Sequence, residues 1–319
     1  SDAIQEIPGI SIISTGPGIS KPVIRGLSSN RITVFNQFMR VENQQWGAEH
    51  GMEISGFGIG SVEVIKGPMS VLYGSDAIGG VIFVNPDSYY SGEGTEIELG
   101  TIYNSNYQGL TTNLGIKGTS NKLSYLVQAS LVDNKDFNTP DSEIENTYFK
   151  NSDLKFGLGY TSDNFISDLR INVNDSEIGI PHGEENHDDH DDHDDHDDDD
   201  HDEDHDEDHE EHEEEKSYQD VTNTMISWKN RFLFENRSEI EFTLGFSSNK
   251  RKEFGHHEEE GHDDHDDDDD HDDDDHDDDD HDDDHDDDHD DHDEHGEGPA
   301  LNMDLETTTF DLKYIFPKS

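Results

Sequence analysis

Apolar and polar residues alternate with a period of two along most of the chain after residue 94. Between Leu123 and Leu131 every second residue is apolar, and Ser124, Gln128 and Ser130 occupy positions between them. This period places alternate side chains on opposite faces of a β-strand. Eight such segments predict about eight strands. The apolar positions of the other seven are Ile97, Leu99 and Tyr103; Leu110, Leu114 and Ile116; Leu154, Phe156, Leu158 and Tyr160; Phe165, Leu169, Ile171 and Val173; Ile226, Trp228, Phe232 and Phe234; Ile240, Phe242, Leu244 and Phe246; and Phe310, Leu312, Tyr314 and Phe316.

The connections between these strands alternate in length. Short polar turns are predicted at residues 118–122, 161–164 and 235–238, and other connections at residues 104–108, 133–147, 176–219 and 250–299. A soluble β-sandwich or barrel has the same strand period. Long loops at one end and tight turns at the other are typical of a transmembrane antiparallel β-barrel, which we therefore favour. The sequence contains no run of 18 or more apolar residues, so it predicts no transmembrane helix.

The first 86 residues follow a different pattern. Glycine is frequent and the apolar runs are short, with strand-like segments at residues 31–35, 38–41 and 61–65. This pattern predicts a small α+β unit. We expect residues 1–88 to form one domain and residues 89–319 to form the first part of a barrel.

Two segments, residues 182–215 and 256–295, consist almost entirely of histidine and acidic residues. We call them the first and second tract. They contain 23 and 28 acidic residues, 20 of the 21 histidines, and no lysine or arginine. Without them, 20 basic residues face 30 acidic ones, which is an ordinary balance for a folded chain. Such blocks of like charge favour an extended chain and oppose nucleic-acid binding.

The composition of the tracts predicts divalent metal binding. The chain has no cysteine, so imidazole and carboxylate must supply the ligands. Histidine favours zinc, copper and nickel, and the drifting spacing predicts many weak, interchangeable sites that capture ions. An acidic loop with incidental histidines is the alternative. The candidate ligands are His182, His187, His190, His193, His196, His201, His205, His209, His212, His256, His257, His262, His265, His271, His276, His281, His285, His289, His292 and His295.

Five blocks of the first domain, in order, resemble the plug domain of TonB-dependent outer-membrane receptors. They are KPVIRGL from Lys21, NRI from Asn30, VEVIKGP from Val62, LYGS from Leu72 and AIGGVI from Ala77. The blocks contain the residues to which we assign structural roles in the plug: Arg25, Gly26, Arg31, Glu63, Gly67, Pro68, Gly74, Gly79 and Gly80. Two details differ from the family pattern: Asn36-Gln37 replaces an Asp-Gly turn, and Gly56, Gly58 and Gly60 replace a proline-containing run.

The conformational freedom of glycine explains why glycines occur at these positions in the five blocks. Gly67-Pro68 should end a strand before a short helix that ends at Gly74, and Gly79-Gly80 should allow close backbone approach. Arg25, Arg31 and Glu63 are charges among apolar residues, and in this family plug arginines pair with glutamates. Solvated charges at strand edges are the alternative.

The resemblance implies a barrel of about 22 strands, occluded by the plug, that imports a scarce nutrient with energy relayed by TonB. We expect this chain to be a monomeric fragment in outer-membrane lipid, with the tracts outside the cell, the plug facing the periplasm and a TonB box upstream.

The resemblance also indicates a more defined site. Glu49 and His50 lie in the loop after the hairpin at residues 31–41, and His50 is the histidine outside the tracts. In ZnuD-type zinc receptors an acidic residue followed by histidine at this plug loop contributes to the zinc site. We therefore predict that Glu49 and His50 bind Zn²⁺ as the transported substrate.

Other functions remain open. The chain could belong to a receptor for haem, a siderophore, nickel, cobalt or copper, or to a surface metal-binding protein without transport. An enzyme is not predicted, because no Cys/His or Ser/His/Asp constellation lies in a folded setting and a mobile tract lacks the fixed open position of a catalytic metal.

Overall fold

The structure is a computed structural model that describes residues 7–16, 18–42, 50–140, 142–181, 216–255 and 299–317. The candidate ligands of both tracts and Glu49 lie outside these residues, whereas His50 lies within them. Within these ranges, no helix has the length and apolar character needed to cross a membrane.

The N-terminal part is a small sheet with a separate hairpin. The hairpin has two antiparallel strands, and the sheet has four strands, two of which run parallel. Its core is apolar and centres on Ile24, Val34 and Ile82, each fully buried. The strands are β1 (Ile10–Gly16), β2 (Ile19–Ile24), β3 (Ile32–Asn36), β4 (Met39–Val41), β5 (Ile59–Ile65) and β6 (Gly80–Pro86). β1 and β2 form the hairpin, and the sheet has the order β4-β3-β6-β5, with β3 and β6 parallel.

Glycines shape the connection between β5 and β6. A 3-10 helix, Pro68–Tyr73, lies between Gly67 and Gly74, whose φ angles of 88° and 115° favour glycine. At Gly79 a Cβ atom would lie 2.8 Å from the carbonyl oxygen of Arg31, because β6 passes close to the start of β3. Glycine therefore allows this approach.

Two details of the N-terminal part differ from the sequence predictions. The β3–β4 turn has positive φ at Gln37 (49°) and Phe38 (69°), one position later than Asn36-Gln37. Arg25, Arg31 and Glu63 are exposed, and Glu63 accepts a hydrogen bond from Asn85 Nδ2 at 3.0 Å. Among the described residues these charges are thus exposed rather than buried: Arg25 follows β2, Arg31 ends a 3-10 turn before β3, and Glu63 lies on the edge strand β5. Their pairing with the rest of a barrel wall stays a prediction.

The C-terminal part is an open sheet of eight antiparallel strands that follow each other along the chain. Neighbouring strands pair without a register shift, and strand lengths of 11 to 16 residues are sufficient to cross a bilayer. All eight predicted strands are confirmed. They are β7 (Gly94–Asn104), β8 (Gly109–Ser120), β9 (Leu123–Asn134), β12 (Phe149–Thr161), β13 (Phe165–Gly179), β14 (Tyr218–Leu233), β15 (Glu239–Phe254) and β16 (Leu301–Ile315), with the short pair β10 (Phe137–Asn138) and β11 (Glu143–Ile144) between β9 and β12.

The two faces of this sheet have inverted polarity. On β14, Gln219 and Ser227 point to one face and are completely buried, whereas Ile226 and Trp228 point to the other and are 36% and 42% exposed. A soluble β-sandwich buries its apolar face instead. The polar face of the sheet lies against the N-terminal part and the apolar face points away from it, which is the alternation of a membrane barrel.

The strand ends confirm the predicted asymmetry of the connections. The tight turns at residues 121–122, 162–164 and 234–238 lie at one end of the sheet. The connections at residues 105–108, 135–148, 180–217 and 255–300 start from the other end, which we call the long-connection end. Both tracts therefore leave and re-enter the sheet at the long-connection end.

Candidate metal-binding site

His50 lies at the contact between the N-terminal part, which we call the plug after the resemblance described above, and the polar face of the eight-stranded sheet. It is only 5% exposed, and its Nε2 atom lies 2.7 Å from Oε1 of Glu253 on β15. Its other ring nitrogen, Nδ1, is buried and has no hydrogen-bond partner among the described residues. The structure thus brings an imidazole and a carboxylate together, with one imidazole nitrogen uncommitted.

Strand alternation places Glu253 at this contact. Asn249, Arg251 and Glu253 have the same parity on β15 and point to the polar face, where Glu253 pairs across the sheet with Gln219. Glu253 precedes the last residue of β15 and lies three positions before His256, the start of the second tract. The pair therefore lies at the base of a long connection.

The plug segment that carries His50 is held close to the hairpin. The backbone N–H of Met52 donates to the carbonyl of Ser20 at 3.3 Å, and a Cβ atom on Gly51 would lie 3.3 Å from the backbone nitrogen of Ser20. The absence of a side chain at Gly51 allows this approach. As a result, residues 50–53 run along the hairpin and face β15.

A second polar contact joins this segment to the same strand. Glu53, which has a φ of 52°, forms an ion pair with Arg251 and accepts a hydrogen bond from Asn249 Nδ2 at 2.9 Å. Arg251 also donates to Gln219, and the side chains of Arg251 and Glu53 are 0% and 1% exposed. Both carboxylate oxygens of Glu53 are thus engaged.

The donor set of the site limits its chemistry. Within the described ranges, no group of three or more histidine and acidic side chains could hold a metal ion. One imidazole with one carboxylate suits zinc, copper or nickel better than calcium or magnesium, which prefer oxygen ligands. A four-coordinate zinc ion would require two more ligands, and Glu49 and the tracts lie next to the pair in sequence.

A cavity of about 440 Å³ adjoins this site on the side of Glu53. The cavity separates plug residues 52–57 from the polar faces of β8, β9, β12 and β13. Polar side chains of Ser20, Asn113 and Asn151 line it together with Phe57 and Phe149. A gap therefore remains between the plug and the polar face of the sheet, next to the candidate site.

The linker that follows β6 forms another contact between plug and sheet. Tyr89 donates a hydrogen bond to Asp168 at 2.7 Å, and the guanidinium carbon of Arg170 lies 4.2 Å from the centre of the Tyr89 ring. Asp87 accepts hydrogen bonds from Lys117 at 3.3 Å and Gln128 at 3.1 Å. We call this set of contacts the linker clamp.

Sequence reasoning identified His50 but missed Glu253, Glu53 and Arg251. Glu253 could have been found from its parity on a strand that borders a tract. Parity also places Arg251 on the polar face of β15, but its pairing with Glu53 carried no signal, because Glu53 belongs to no motif and the pairing depends on how the plug docks. The positions of Glu49 and of the tract histidines relative to His50 stay predictions.

Comparisons with known proteins identify the N-terminal part. Residues 1–81 match the family model of the TonB-dependent receptor plug domain. The chain is 42% identical over 101 residues to the vitamin B12 transporter BtuB of Vibrio vulnificus, an alignment that covers 31% of this chain and 16% of that protein. It is 27% identical over 193 residues to BtuB of Photobacterium profundum, which covers 58% and 32% respectively.

A solved structure of the copper transporter OprC has a similar fold. The TM-score is 0.61 at 15% identity, over 79% of this chain and 36% of OprC. The chain therefore spans about a third or less of these proteins. Residues 1–81 are thus similar to the plug domain of TonB-dependent receptors, and the plug and the eight strands that follow share the fold of part of OprC.

Proposed function

We propose that this chain is part of a TonB-dependent outer-membrane transporter that imports a divalent metal ion, with Zn²⁺ as the substrate. The observation that carries this proposal is the 2.7 Å contact between Nε2 of the buried His50 and Oε1 of the partly exposed Glu253 at the long-connection end of the sheet. Both tracts connect strands at that end, so the residues that would select the ion lie where the segments that would collect it join the sheet.

The tracts support a role in capture. Their acidic residues would attract cations electrostatically, with a range of about 8 Å at physiological ionic strength. Their histidines would hold zinc weakly and release it to a site with fixed geometry. His50, Glu253 and Glu49 would provide that site, together with ligands from the tracts or from the rest of the receptor.

Transport would require TonB and an outer membrane. The apolar outer face of the eight strands fits lipid, and residues 1–81 match the plug domain of TonB-dependent receptors. The proposed orientation in the membrane has the tracts on the outside of the cell and the tight turns on the periplasmic side.

Zinc uptake tests the proposal directly. Deletion of the gene in zinc-starved cells should abolish high-affinity uptake of radiolabelled zinc, and deletion of tonB should do the same. Uptake that is unchanged in both strains would exclude the transporter. Surface binding that persists without TonB-dependent uptake would favour a metal-binding surface protein.

Point variants test the site. In the protein made from its complete reading frame, His50→Ala and Glu253→Gln should each weaken Zn²⁺ binding about 10–100-fold, the usual loss when a group that holds or orients a metal is removed. Free Zn²⁺ is held by a chelating buffer below the range in which the tracts bind. Glu63→Gln is the matched control, because Glu63 is an exposed plug carboxylate whose bond goes to Asn85.

A transporter of another metal ion or of a metal complex, such as haem or a siderophore, is the second candidate. The relatives named above include vitamin B12 transporters, and OprC is a copper transporter. Copper would suit the same imidazole and carboxylate, whereas an anionic haem would be repelled by the tracts. Competition of Cu²⁺, Ni²⁺, vitamin B12 and haem against bound Zn²⁺ separates these substrates.

A further inference from the structure

Two contacts attach residues 50–53 to β15, and they lie on neighbouring positions of the same face. His50 forms a hydrogen bond with Glu253, and Glu53 forms an ion pair with Arg251 and a hydrogen bond with Asn249. Glu253 and Arg251 are two residues apart on the strand, so their Cα atoms lie about 6.6 Å apart. The plug segment is therefore fixed at two points along one strand.

The two contacts differ in how firmly they are held. The side chain of Glu253 is 24% exposed and belongs to the next-to-last residue of β15, next to a long connection. The side chain of Arg251 is fully buried and joins Glu53 and Gln219 at once. Because strand ends open more readily than buried positions, the Glu53–Arg251 contact must define where the segment lies.

We propose that Arg251 and Glu53 are positioning residues of the cation site, which hold His50 in line with Glu253. This inference rests on the function proposed above. Glu53 acts as a positioning group and not as a ligand, since Arg251 and Asn249 occupy its two oxygens. Binding groups must be held within about 0.5 Å of their productive geometry, and the fully buried Glu53–Arg251 ion pair fixes the segment that carries His50 against β15.

The charge of Arg251 makes this role testable by the sign of an effect. A cationic side chain two positions from Glu253 on the same face would repel a bound dication, so a purely electrostatic influence predicts tighter Zn²⁺ binding once the charge is removed. A positioning role predicts weaker binding instead. A purely structural role would lower stability and leave the affinity for Zn²⁺ unchanged.

The experiment measures the Zn²⁺ affinity and the melting temperature of the complete receptor with Arg251→Gln, Arg251→Lys and Glu53→Gln. Arg251→Gln should weaken binding about 10–100-fold, as for a group that orients a metal ligand. Arg251→Lys keeps the charge but cannot bridge Glu53 and Gln219 as a guanidinium fork does, so it should also weaken binding, but less. Glu53→Gln should weaken binding as well.

Lys117→Gln is the matched control, because it removes another cation of the sheet that contacts a plug-linker carboxylate, Asp87, far from His50 in the fold. It should leave the affinity unchanged. Tighter binding in Arg251→Gln, or unchanged binding in Arg251→Lys, would overturn the positioning role. If Arg251→Gln does not fold, the lysine variant decides alone.

Failure of this inference can be told apart from failure of the proposed function. If the unaltered receptor does not bind Zn²⁺, or His50→Ala binds it normally, both are refuted. If His50→Ala loses binding while all Arg251 and Glu53 variants keep it, only the positioning role is refuted.

Discussion

The linker clamp provides a sharp test of how the plug is attached to the sheet. The ring of Tyr89 lies against Gly157 and Gly159 on β12, under the guanidinium of Arg170. A Cβ atom at Gly159 would lie 2.8 Å from Cε2 and 3.1 Å from Cζ of this ring. We therefore predict that Gly159→Ala opens the clamp, because a rigid ring must move away from the sheet.

The structure gives the size of the effect. Carbon atoms pack at about 3.5–4.0 Å, so the Tyr89 ring must shift by roughly 0.7 Å or more. Overpacking of this kind costs about 1–3 kcal/mol. The shift also stretches the 2.7 Å hydrogen bond from Tyr89 to Asp168, and bonds to charged groups contribute about 1.5–3 kcal/mol. We expect a loss of about 2–3 kcal/mol, which corresponds to roughly 30–150-fold easier opening.

Native-state hydrogen exchange of the complete receptor in lipid measures this opening. Peptides covering residues 86–93 should exchange faster in Gly159→Ala, whereas peptides of the tight turns should not change. Gly100→Ala is the matched control, because a Cβ atom there would meet only Asn113 Cβ, at 3.9 Å. The reasoning is refuted if the two alanine variants exchange equally in this segment.

Three further outcomes are expected. Gly79→Ala should destabilise the plug by about 1–3 kcal/mol in a denaturant titration, because its Cβ atom would meet the backbone oxygen of Arg31; wild-type stability would contradict this. Asn146→Ala should speed exchange next to the first tract, since Asn146 Nδ2 donates at 2.6 Å to the carbonyls of Ile180 and Ser217; equal exchange would show that these bonds are dispensable. Deletion of residues 182–215 and 256–295 should slow uptake at scarce zinc, most at low ionic strength, without changing the affinity at His50, and an unchanged rate would exclude capture by the tracts.

The strands of the sheet could be predicted from the sequence because each one carries its own signal. In β9 the alternation from Leu123 to Leu131 fixes both the strand and the face of each residue, without reference to any other segment. The lengths of the connections then indicated which connections lie together at each end of the sheet. Local period and turn length were sufficient, since neighbouring strands in a meander pair in chain order.

The turn between β3 and β4 shows where local reasoning failed. The resemblance placed the turn at Asn36-Gln37, where the family has Asp-Gly and where only asparagine tolerates positive φ well. The structure instead uses Gln37 and Phe38, and Phe38 lies under Lys229, whose Nζ atom is 4.7 Å from the ring centre. The contact with β14 and the pairing of Asn36 with Met39 decide the turn, and neither is visible in the local sequence.

The pairing at the candidate site could not be predicted, because it joins residues about 200 positions apart whose charges allow several solutions. Parity places Arg251 and Glu253 on the polar face of β15, but Arg251 would attract Glu49 as readily as Glu53. The backbone of the plug makes the choice. Since Gly51 lets the segment pass directly against Ser20 of the hairpin, residue 53 reaches Arg251 and residue 50 reaches Glu253. The position of the imidazole therefore depends on a glycine and a buried ion pair, neither of which would bind the ion.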